Sequence, residues 1–108
     1  MDSVVQSAVK IIEQEFSRLR GSEDIADKVG VTVAVLQKTF RRAGGVAPRE
    51  YLERVRVTEA QRLWRETDLR VFEIASAVGW DRDDSASRAF HRATGRSMKE
   101  YRRGSMGE

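Results

Sequence analysis

PREYLERVRVTEAQRLWRET, residues 48–67, decides how the rest of the chain is read. Pro48 suits a first helical position, where its missing N–H costs nothing. Tyr51, Leu52, Val55, Ala60, Leu63 and Trp64 then recur at three- and four-residue spacing, which predicts a long helix with one buried face and a charged opposite face. Similar blocks flank it. Ile25, Ala26, Val29 and Gly30 are matched 49 residues later by Ile74, Ala75, Val78 and Gly79. Phe40, Gly45, Pro48 and Tyr51 are matched 50 residues later by Phe90, Gly95, Met98 and Tyr101. The chain is thus a unit duplicated around one central helix.

Working outward, Val5, Ala8, Val9, Ile12, Phe16 and Leu19 form one apolar stripe up to Gly21, with Ser3 and Gln6 spaced as a capping box at its start. Ser22 is expected to cap a short second helix ending at Gly30, a residue suited to a left-handed helix stop. Thr32 is expected to cap a third, burying Val33, Leu36 and Phe40 and ending at Gly44 and Gly45. Helix, glycine turn, helix is a helix-turn-helix pattern. After the central helix, Val71 to Val78 repeats helix two, Gly79 the turn and Asp83 to Ala93 helix three. Ser97 to Arg103 is expected to form a last short helix. The expectation is all-α, about seven helices, with subdomains at 1–47 and 68–108 joined by, and sharing, the helix at 48–67.

Composition narrows the function. No cysteine is present among 108 residues, so thiolate metal sites, disulfides and cysteine nucleophiles are excluded. One histidine, His91, supplies no metal site at the usual ligand spacing. Neither a Gly-rich phosphate loop, a Ser/His/Asp set nor paired acids on a cleft occurs, so no enzyme, cofactor or small-molecule site is expected. A membrane span is not expected either, for want of about 18 consecutive apolar residues; the expected location is the cytoplasm, at the nucleoid. A net charge of +3 is only mildly basic. Local clusters must therefore carry any basic surface.

One such cluster is the outward face of helix three, where Gln37 and Lys38, followed by Arg41 and Arg42, put base-edge donors and acceptors beside phosphate-seeking cations. A merely solvated helix face would look the same, and the duplicated helix-turn-helix context favours DNA. On the second unit's equivalent face stand Asp84, Ser85, Ser87 and Arg88, with His91, Arg92 and Arg96 beyond. A guanidinium can bind guanine O6 and N7 together, so Arg88 is the leading base contact there. Asp81, Asp83 and Asp84 pull the other way, either serving the start of the helix or opposing DNA phosphates; Asp84 could also accept from cytosine N4. Trp64 and Trp80 read as core, and Arg56 as a structural arginine needing a carboxylate partner. Between the copies Val31 and Leu36 become Trp80 and Ala86, so Trp80 is expected to be buried against Ala86, filling the space beneath the second reading helix.

In this order the sequence closely resembles the DNA-binding domain of the AraC/XylS family of bacterial transcription regulators. The second unit carries the most specific match, EIASAVGW, SRAF, HRATG and EYRR; the first matches through LQKTFRRAGGVAPREYL, with Arg56, Ala60 and Leu63 on the linking helix. The resemblance implies two helix-turn-helix subdomains joined by a long helix, each placing one helix in the major groove. If both enter one face of a straight duplex, they should lie about 34 Å apart. It also implies base contact by Ala34, Gln37 and Lys38; the equivalent outward face of the second unit adds Asp84, Ser85 and Arg88 to the expected base contacts, and Thr32, Arg41, Arg42, His91, Arg92 and Arg96 are the expected phosphate contacts. Ala34 offers only methyl contact, and His91 stands where the family usually has lysine. The sequence departs from the pattern at Ala86, usually aromatic, at Asp81, Asp83 and Asp84, usually neutral polar, and at Met98, usually proline. These departures leave one competing expectation, a helix-turn-helix module that docks a protein such as RNA polymerase through its acidic second unit.

Overall fold

A computed structural model describes residues 3–80 and 83–96, without the side chains of 83–87 and 93. Among them are six helices and no strand: α1 (Ser3–Glu15), α2 (Ser22–Val29), α3 (Val33–Gly44), α4 (Pro48–Glu66), α5 (Val71–Val78) and α6 (Asp83–Thr94). The helix expected over Ser97 to Arg103 lies outside the described residues. Among the described residues no helix is long and apolar enough to cross a membrane.

The chain divides into two compact units, one up to Val55 and one from Arg56 onward, so the boundary falls inside α4. In the first unit Ala8, Ile12, Leu19, Ile25, Ala26, Leu36, Phe40 and Leu52 form one buried cluster. The apolar stripe of α1 feeds it, but the helix stops at Glu15, earlier than the stripe suggests. Arg18 and Leu19 N–H groups both donate to the Glu15 carbonyl, at 2.9 and 3.2 Å, so Leu19 enters the core from a turn. Burying a side chain requires that it face the core, not that its backbone be helical, and periodicity alone cannot separate the two.

A second correction concerns Ser22, which is the first residue of α2 and not its cap. Gly21 holds the cap position and has no side chain to offer. No side chain caps α2; the Asp24 carboxylate reaches back past Gly21 and accepts from the Arg20 N–H at 2.8 Å, which ties the preceding turn to the helix. Farther on, Tyr51 of α4 ties two helices of this unit. Its ring packs edge-on against Phe40 with centroids 5.7 Å apart, and its hydroxyl donates to Glu13 Oε1 of α1 at 2.8 Å.

The second unit buries Val57, Ala60 and Trp64 of α4, Ile74, Ala75 and Val78 of α5, then Trp80, Ala89 and Phe90. Arg56 is buried too, at 6% exposure, as its place on a mostly apolar stripe suggests. The start of α5 is closed by the Arg70 N–H donating to Glu73 Oε1 at 2.9 Å. Trp80 is buried as expected; its contact with Ala86 lies outside the described residues.

Candidate nucleic-acid interface

Two glycines set the reading helices. Gly30 follows α2 with φ 89°, a left-handed value that costs an L-residue about 1–2 kcal/mol. It lets both Gly30 and Val31 donate to the Ala26 carbonyl, at 2.8 and 3.0 Å. Thr32 follows in extended conformation, and its hydroxyl accepts from the Val35 N–H at 3.2 Å, as expected of a cap. These bonds satisfy the Ala26 carbonyl near the end of α2 and one free N–H at the start of α3, groups at helix ends that otherwise need water.

On α3, Leu36 and Phe40 point into the core. Val33, expected to be buried, is half-buried, because it belongs to the first turn, where the core row ends. Ala34, Gln37, Lys38, Arg41 and Arg42 are all exposed, and so is the Thr32 position that precedes them. The structure therefore brings every assigned residue of the first unit onto one helix and its cap. Val35 was missed. It is 46% exposed, and the spacing Val33, Leu36, Phe40 leaves position 35 off the core row; that spacing was the available signal.

Charge separates α3 from the other arginine-rich helix. On α4, Arg54 pairs with Glu50 at 3.3 Å, and Arg62 lies between Glu59 and Glu66, 3.5 Å from the latter. The two carboxylates, the Glu59 hydrogen bond first, raise the Arg62 pKa above its ordinary value. No carboxylate occurs in α3 at all. Among the described residues none lies within ion-pair distance of Lys38, Arg41 or Arg42. Three cations thus share one exposed helix face without internal neutralisation, the arrangement that attracts a polyanion.

The second unit repeats the turn. Gly79 has φ 98°, and the Trp80 N–H donates to the Ala75 carbonyl at 2.8 Å, the counterpart of Val31 on Ala26. On α6, Arg88, His91 and Arg92 are exposed while Ala89 and Phe90 are buried. Arg96, also exposed, follows the helix end, with its N–H on Thr94 Oγ1 at 3.1 Å. Asp83, Asp84 and Ser85 form the first turn of α6, but their side chains, like all of Asp81, lie outside the described residues.

The profile of a family described as a helix-turn-helix domain matches residues 25–104. A putative AraC-like transcription regulator of Streptomyces lividans is 32% identical over 94% of this chain, which covers 34% of that protein. This chain thus spans about a third of the length of that relative. Among solved structures, the C-terminal domain of AraT, a response regulator from Geobacillus stearothermophilus, superposes with a TM-score of 0.90 at 30% identity, covering 95% of this chain and 86% of that one. The DNA-binding domain of AdpA, a global transcriptional factor solved with a target DNA, gives 0.84 at 25% identity, covering 100% and 99%. With two glycine-hinged helix-turn-helix units on one helix and these matches, the chain belongs to the DNA-binding domains of the AraC/XylS family of bacterial transcription regulators.

Proposed function

We propose that this chain binds duplex DNA sequence-specifically, with α3 and α6 as the helices that occupy successive major-groove segments. The observation that carries this reading is the exposed face of α3, where Gln37 stands among three cations with no acid on the helix. Gln37 and Lys38 supply direct readout, Ala34 a methyl contact, and Thr32, Arg41 and Arg42 hold phosphates. In the second unit Arg88 reads a base, with Ser85 and Asp84 beside it, and His91, Arg92 and Arg96 face phosphates. The likeness to the AdpA domain, solved with a target DNA, supports duplex DNA as the ligand. The work the residues do is binding rather than turnover, and RNA polymerase is the second partner expected of a regulator bound beside a promoter.

Selection of binding sites from random duplexes tests the reading. A consensus should emerge, and affinity for it should fall steeply with salt, log Kd against log salt having a slope of about 0.9 per phosphate contacted. Failure to bind any duplex at low salt would overturn it and favour a protein-docking module. Polymerase contact is tested by whether the bound chain retains polymerase on a promoter fragment.

A further inference from the structure

Val35 is the part of the α3 exposed face that hydrogen bonding and charge leave without a role. It is 46% exposed, one of two large hydrophobic residues so exposed among the described residues, the other being Phe72 at 55%. Its backbone is held from both sides. The Val35 N–H donates to Thr32 Oγ1 at 3.2 Å, and its carbonyl accepts from the Thr39 hydroxyl at 2.7 Å. A β-branched side chain in a helix keeps essentially one rotamer, so the two methyl groups project in a fixed direction from a fixed backbone. Lys38 and Arg42, three and seven residues on, lie along the same flank, which places these methyls beside two unneutralised cations.

The residues at the start of a reading helix are those that reach base edges. Val35 is the third residue of α3. The apolar group that a base pair offers on its major-groove edge is the C5-methyl of thymine. We propose that Val35 is a specificity-determining residue that packs against the C5-methyl of one thymine, a proposal that rests on α3 being a base-reading helix. Gln37 and Lys38 would then report hydrogen-bonding edges while Val35 distinguishes thymine from cytosine by shape.

The test is a thymine-by-thymine replacement with deoxyuridine in the selected duplex, read by fluorescence anisotropy on the wild-type chain and on Val35→Ala. Deoxyuridine keeps every hydrogen-bonding group and removes the methyl alone. One replacement should weaken wild-type binding about fourfold, the worth of one buried methyl. The same replacement should cost Val35→Ala nothing measurable, while Val35→Ala should bind the thymine duplex at least fourfold less tightly. Folding is not at stake, because the site is exposed and alanine is the better helix former. A flat deoxyuridine scan, or one in which every cost seen with the wild type persists in Val35→Ala, overturns the proposal, whereas a second cost that persists belongs to Ala34; Gln37→Ala shows whether α3 still reads bases. If no duplex is preferred over a scrambled one, the reading of α3 and the role of Val35 fail together.

Discussion

Single residues on α3 divide by what they can distinguish. Gln37 and Lys38 carry groups that pair with base edges, so Gln37→Ala and Lys38→Ala should each cost about 1–3 kcal/mol on the selected duplex and relax preference at particular positions. Equal losses on selected and random DNA would remove both from the base-contact set. Arg41→Ala should weaken all duplexes alike and lower the salt slope by about one. Away from DNA, Tyr51 makes a pH-dependent contribution. Burial first, then the hydrogen bond and charge of Glu13, raise its pKa above the ordinary value of 10.0. Below pH 10 the phenol is protonated in folded and unfolded chains alike, and its stabilising effect is fully present. As the pH rises from 10 through the folded value, the unfolded chain ionises first and that effect is lost. Tyr51→Phe should therefore lower stability by about 0.5–1 kcal/mol at neutral pH, the worth of one accessible hydrogen bond, while keeping the packing on Phe40. Thermal melts should show the wild-type advantage shrinking above pH 10; parallel profiles would contradict the assignment.

The elements show how much of the fold is legible in the chain, and where it stops being so. Glycine turns are legible because a left-handed residue has few alternatives. Gly30 and Gly79 have φ 89° and 98°, Gly45 and Gly95 both 76°, so the sequence duplication is a backbone duplication as well. The end of α1 and the cap of α2 are not legible, since Leu19 satisfies the apolar stripe from a turn and α2 begins at Ser22 with no side-chain cap at all. Of the site, the exposed polar residues of α3 follow from the core spacing, and the same spacing puts Val35 off the core row, but its apolar side chain gives no sign of a role at the surface. The cap of α3 gives an element-scale prediction. Thr32→Ala should cost about 1 kcal/mol in stability, and Thr32→Ser, which keeps an acceptor for the Val35 N–H, should restore most of it. Denaturant titrations of both variants decide the matter; equal losses would assign the effect to the threonine methyl. Gly30→Ala should cost about 1–2 kcal/mol although no atom lies within 4 Å of the added methyl, because the penalty is in the backbone.

At the scale of the whole molecule, α4 belongs to both units: Leu52 is in the core of the first, while Val57, Ala60 and Trp64 are among the buried residues of the second. One helix with two sets of obligations raises the question of whether the units unfold together. Trp80 can answer it, because it is 6% exposed in the second unit and directly follows the turn that aims α6. Trp80→Ala should cost about 3–5 kcal/mol, as large aromatic truncations in cores do. Against a total of about 5–15 kcal/mol for a domain, that is enough to unfold the second unit at moderate denaturant. The first unit keeps its own buried cluster from Ala8 to Leu52, so helical circular dichroism should be lost in two steps, the Tyr51 environment surviving into the second. Between the steps the chain should bind the selected duplex weakly, with a smaller salt slope, yet still respond to Gln37→Ala, since α3 and its turn are intact. A single transition that abolishes both the helical signal and the response to Gln37→Ala would mean that α4 couples the units into one cooperative fold, and that neither reading helix is positioned without the other.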